Sequence, residues 1–77
     1  DEIFIYPNPT LGKLVFDFGS IQQELKISIF DIHGSLLLTY KSDQSHQKNL
    51  NLSKGLYLVE LANPLGQSIT KKITIII

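Results

Sequence analysis

Cysteine is absent, so the chain has no disulfide framework, no thiolate metal site and no thiol nucleophile, and its redox compartment stays unread. Arginine is absent as well. Seven lysines balance seven acidic residues to a formal net charge of +0, which removes the electrostatic footprint that nucleic acid or an anionic bilayer selects. Stretches such as Leu36-Leu37-Leu38 fall far short of the roughly 20 apolar residues of a membrane-spanning helix, so no transmembrane segment is expected. With 77 residues there is room for one domain, 1–77, and none for a second lobe that would build an interdomain cleft. That weighs against most enzymes. At 43% hydrophobic and 18% charged, the sequence is nevertheless too apolar for disorder.

Punctuation is what the chain has in regular supply. Turn signals fall at Pro7-Asn8-Pro9-Thr10-Leu11-Gly12, Gly19-Ser20, Asp31-Ile32-His33-Gly34, Ser42-Asp43-Gln44-Ser45, Ser53-Lys54-Gly55 and Asn63-Pro64-Leu65-Gly66, and they delimit seven short segments. Each segment is rich in Ile, Leu, Val, Phe and Tyr and of strand length. Alternation sets Leu14, Phe16 and Phe18 inward, then Leu25, Ile27 and Ile29, then Leu36, Leu38 and Tyr40. Leu50 and Leu52, Tyr57, Val59 and Leu61, and finally Ile69, Ile73, Ile75 and Ile77 continue the pattern. Lys71 interrupts the last inward series, so a bulge, a fraying edge or a snorkelling stem is expected there. Seven alternating strands with regular turns predict an all-β fold, a seven-stranded immunoglobulin-like antiparallel β-sandwich.

Local chemistry assigns roles to several residues. Pro7 and Pro9 remove two backbone donors and end pairing after Tyr6, while Asn8 and Gly12 complete a corner. Asp31 can accept backbone N–H bonds at the start of a hairpin loop, and Gly34 can take positive φ at its end. Gly55 followed by Tyr57 matches the tyrosine corner of sandwich folds, where the hydroxyl bonds backbone a few residues upstream. His33 and His46 are read into separate loops without an i+4 or Cys partner, so neither metal nor cofactor is expected. Asp31 with His33 lacks an orienting third group and a deep pocket, which argues against catalysis.

Four blocks taken in order, Ile5-Tyr6-Pro7-Asn8-Pro9-Thr10 with Gly12, Lys26 to Gly34, Leu52 to Val59, and Lys71-Lys72-Ile73-Thr74-Ile75, resemble the type A C-terminal sorting domain of the type IX (Por) secretion system. The resemblance covers nearly the whole chain. It implies a secreted cargo upstream, transit through the periplasm, and export across the outer membrane by a translocon that recognises this domain. A surface sortase then cleaves upstream of it, leaving cargo on the cell surface or released. Translocon, outer-membrane shuttle protein and sortase are the partners implied. Onto this sequence the family corner maps to Pro7, Asn8, Pro9 and Gly12, its hairpin to Asp31 and Gly34, its strand start to Gly55 and Tyr57. Its terminal lysine-bearing strand maps to Lys71 and Lys72, where the resemblance puts the core of the export signal, and Thr74 on the same strand joins them as a candidate for recognition by the translocon.

The expected mechanism is binding: the terminal strand offers outward Ser68, Thr70, Lys72 and Thr74 and a free backbone edge to a receptor. Removing Lys72 to Ile77 is then expected to trap a reporter in the periplasm. The apolar run Ile73 to Ile77 also suggests weak edge-to-edge self-association. The rival reading is a passive spacer or a carbohydrate-binding module, for which Phe4, Tyr6 and Phe30 are the aromatics outside the expected core.

Overall fold

The computed structural model describes residues 3–76. Seven strands form: β1 (Phe4–Tyr6), β2 (Lys13–Asp17), β3 (Leu25–Asp31), β4 (Leu36–Ser42), β5 (His46–Asn49), β6 (Gly55–Ala62) and β7 (Ser68–Ile75). They build two antiparallel sheets, one in the order β1-β2-β5 and one in the order β4-β3-β6-β7. The predicted immunoglobulin-like sandwich is present. Relative to the constant-type division, which keeps the fourth strand beside the fifth, β4 has moved to the edge of the four-stranded sheet.

Alternation explains why the sheets stack. Leu14, Phe16 and Phe18 face Ile27, Ile29, Val59, Ile73 and Ile75, each 0–1% exposed, and these side chains fill the space between the layers. Leu25, Leu61 and Tyr57 extend the same core.

Three segments depart from the expected pattern. In β4, Ile29 pairs with Leu38 but Phe30 with Leu36, so Leu37 is an extra residue and the strand bulges. The extra residue turns Leu36 onto the outer face, 54% exposed, rather than into the core as expected. In β5 the paired residues are His46–Asn49, so His46 stands on a strand and not in a loop, while Leu50 buries its side chain just beyond the strand. In β7 the register runs unbroken from Ser68 to Ile75, which rules out a bulge at Lys71. Lys71 shares the inward side with Ile69 and Ile73 and is half-buried, as a stem lying along the apolar edge would be. Ile77 lies outside the described residues.

Candidate functional site

The corner and the terminal strand, 64 residues apart in sequence, are joined in space. Both Tyr6-Pro7 and Asn8-Pro9 are cis, and between them the Asn8 carboxamide points at β7. Its Nδ2 donates to the Lys72 carbonyl at 3.0 Å, and its Oδ1 accepts from the Thr74 N–H at 3.0 Å. Thr10 takes over two residues later. Its N–H donates to the Thr74 carbonyl at 2.8 Å and its carbonyl accepts from the Ile76 N–H at 3.0 Å, a parallel bridge that ties the corner to the end of β7. The Thr10 hydroxyl, buried, donates to the Lys13 carbonyl and accepts from the Gly12 N–H. At Gly12, with φ +117°, a Cβ would meet the Leu50 carbonyl oxygen at 3.0 Å, so only glycine lets the two backbones approach.

This clamp corrects the expectation of a free terminal edge. From Lys72 to Ile76 the outer side of β7 is already occupied by Asn8 and Thr10. Ile73 and Ile75 are 1% and 0% exposed, so two of the apolar side chains in the stretch expected to self-associate lie in the core, while Ile76 stays 52% exposed. Asn8 was legible as a turn residue. Its pairing with a strand, and the part played by Thr10, were not, because no local pattern marks a contact across 66 residues.

Of the three terminal-strand candidates, Lys72 and Thr74 project from the outer face of the four-stranded sheet and Lys71 does not. Register places Lys72 beside Leu58, Leu58 beside Phe30 and Phe30 beside Leu36, a row crossing all four strands. Thr74 lies beside Leu56 in the next row. With Leu36 and Leu56 exposed, the lysine stands at the rim of an apolar stripe, the kind of surface that marks contact with another protein. Phe4 and Tyr6 are exposed on the opposite sheet, so they and Phe30 do not form one aromatic row.

The remaining assigned residues are held by turn chemistry. Asp31 Oδ1 accepts from the N–H groups of His33 at 2.9 Å and Ser35 at 3.0 Å, while Gly34, at φ 86°, donates to the Asp31 carbonyl. The carboxylate is thereby committed to its own loop. Tyr57 donates its hydroxyl to the Ser53 carbonyl at 2.7 Å, the tyrosine corner expected, with Gly55 against its ring.

A family model described as the secretion system C-terminal sorting domain matches residues 4–76. The chain belongs to that family. It is a sorting domain of the type IX secretion system, and its class of signal sends proteins to the cell surface or into the medium. No curated protein matches the chain.

One feature of the sorting domain was not anticipated. On the flank away from the clamp, Tyr40 of β4 and His46 of β5 link the two sheets through a 2.7 Å contact between hydroxyl and Nε2. His46 Nδ1 lies 3.0 Å from the Gln44 carbonyl, which can only accept, so the network assigns the proton to Nδ1 and leaves Nε2 to accept from Tyr40. His46 stacks on Phe16 at 4.9 Å, and the Lys48 ammonium sits 4.5 Å above the Tyr40 ring. Burial pushes the Tyr40 phenol up to about 12. No group of three or more His, Asp or Glu suited to a metal ion occurs among the described residues of the sorting domain. Among the described residues no helix is long and apolar enough to cross a membrane.

Proposed function

We propose that this sorting domain is a non-catalytic address occupying the whole of residues 1–77. It directs an attached cargo from the periplasm across the outer membrane, delivers it through the translocon to a shuttle protein, and is removed by a surface sortase acting on its N-terminal side. The surface read in transit is the outer face of β6 and β7, with Lys72 and Thr74 as the polar contacts and Leu58, Leu56 and Phe30 as the apolar ground beside them. Lys71 contributes through the edge of the same strand.

One observation carries this reading: Lys72 and Thr74 stand on a strand whose backbone is held on one side by β6 and on the other by Asn8 and Thr10. A recognition group whose backbone is already fixed loses little freedom when a partner binds, so more of the contact energy appears as affinity. The two faces of β7 divide the work, one packing the core and one meeting the receptor.

Deleting Lys72 to Ile77 would remove buried Ile73 and Ile75 and unfold the domain, so it cannot separate recognition from stability. Point changes can. A reporter fused ahead of the domain is expected to stay in the periplasm with Lys72→Glu and to be exported normally with Lys13→Glu, on the opposite sheet, the two variants melting within a few degrees of the parent. Wild-type export of the Lys72→Glu fusion would remove Lys72 from the signal.

A further inference from the structure

The clamp closes only part of the β7 edge. In an antiparallel ladder each residue sends both its N–H and its C=O to the same side, and the side alternates along the strand. Thr74 sends both groups outward to Asn8 and Thr10, and Lys72 sends its carbonyl to Asn8. The same alternation turns the N–H and C=O of Ser68 and Thr70, and the N–H of Lys72, to that outer side. None of these groups is met by a described residue.

Beside this open stretch lies a cavity of about 500 Å³. Ile3, Ile21, Leu25, Leu61 and Ile69 line it, and Ser68 of the open edge borders it. Ile69 explains why it exists. Although it has the inward parity of Ile73 and Ile75, it is 43% exposed, so the inner face of β7 is left open at this end. The expectation that so small a sandwich has no deep pocket is therefore modified at this end of the fold.

Charge completes the description. Lys71 follows Ile69 on the cavity side and Lys72 projects from the outer face, and the residues opposite them on β6 are Val59 and Leu58. Neither lysine meets a carboxylate across the ladder. A second copy pairing through the same edge would bring four lysines onto one short stretch, which like-charge repulsion disfavours.

We propose that the open edge of β7 from Ser68 to Lys72, with the cavity beside it, is a strand-addition site for an extended peptide carrying an apolar side chain and, two residues away, a carboxylate. Backbone pairing with Ser68 and Thr70 supplies affinity. The period-2 geometry of a strand puts the apolar side chain over Ile69 and the carboxylate on the same face, against Lys71. The site shares Lys71 and the Lys72 backbone with the strand assigned to export but lies on its edge and inner side, not its outer face, and it stands whether or not the translocon supplies the peptide.

The test is an NMR titration of the ¹⁵N,¹³C-labelled chain with acetyl-Thr-Leu-Thr-Glu-Thr-amide and with the same peptide N-methylated along its backbone. Saturable shifts are expected at the amides of Ser68, Thr70 and Lys72 and at the methyls of Ile69, with the N-methylated copy at least tenfold weaker. Thr70→Pro deletes an N–H that the ladder to β6 does not use, in an edge position where proline is tolerated, and is expected to weaken binding about tenfold without unfolding the domain. If that variant does not fold, the N-methylated peptide on the parent chain decides. Silence at those amides at millimolar peptide, or equal binding of the N-methylated copy, would overturn the proposal. So would shifts centred on Phe30 and Leu58, or edge amides that move with protein concentration alone, which would assign the edge to a second copy.

Discussion

Replacing Asn8 with alanine tests whether the corner holds the terminal strand. The substitution removes the bond from Nδ2 to the Lys72 carbonyl and the bond from the Thr74 N–H to Oδ1, both 3.0 Å long and both exposed. A typical intramolecular hydrogen bond contributes about 0.5–1.5 kcal/mol net. Because water can replace the lost partner at an exposed site, the lower half of that range applies to each bond, giving about 1–2 kcal/mol together. For a domain of this size each kcal/mol corresponds to roughly 4–8 °C in Tm, so a fall of roughly 4–16 °C is expected in a thermal melt followed by circular dichroism. Amide exchange localises the effect. Thr74 should lose protection by about the same free energy relative to global opening, whereas Ile76, whose N–H donates to the Thr10 carbonyl, should follow the global change alone. An unchanged Tm together with unchanged exchange at Thr74 would show that the carboxamide does not secure the strand, leaving the closed part of the β7 edge to Thr10 alone.

Two further outcomes follow from particular contacts. Tyr57→Phe deletes the bond to the Ser53 carbonyl while keeping the ring in the core, so urea unfolding should show a loss of about 0.5–1.5 kcal/mol with no change in m-value. Tyr40 carries a phenol raised from 10.0 to about 12 by burial. A raised acid favours its protonated form in the folded state, so its contribution is fully present below pH 10 and is lost as pH rises from about 10 to about 12. Melts across that window should show stability falling more steeply for the parent than for Tyr40→Phe; identical slopes would place the phenol in contact with solvent.

Much of this architecture could be read from alternation because the decisive elements, β2, β3 and β6, each bury one face and expose the other. Where the reading failed, a local event had changed the parity. The bulge at Leu37 reverses which side Leu36 occupies, and two-state alternation carries no sign of an inserted residue. At β5 the hydrogen-bonded stretch is the polar His46–Asn49, and the apolar Leu50 and Leu52 lie after it. The site divides in the same way. Asp31 and Tyr57 act within four residues of themselves, so turn chemistry exposed their partners. Asn8 and Thr10 act on a strand 64 residues away, and the cavity beside Ile69 is lined by residues from separate segments; both are properties of assembled sheets.

The clamp also bears on when the domain can become legible to a receptor. Asn8 and Thr10 have nothing to grip until residues 72–76 have been synthesised and have docked on β6, so within the domain an earlier segment waits for a later one. Loop closure over that separation is slow compared with hairpin formation, and the hairpins β3-β4 and β6-β7 can form before it. A chain cut short by a stalled ribosome or a protease would carry the hairpins but not the clasp. The clasp therefore forms only where residues 8–10 and 72–76 stand on one folded domain, and a receptor that required it would pass over domains cut between them.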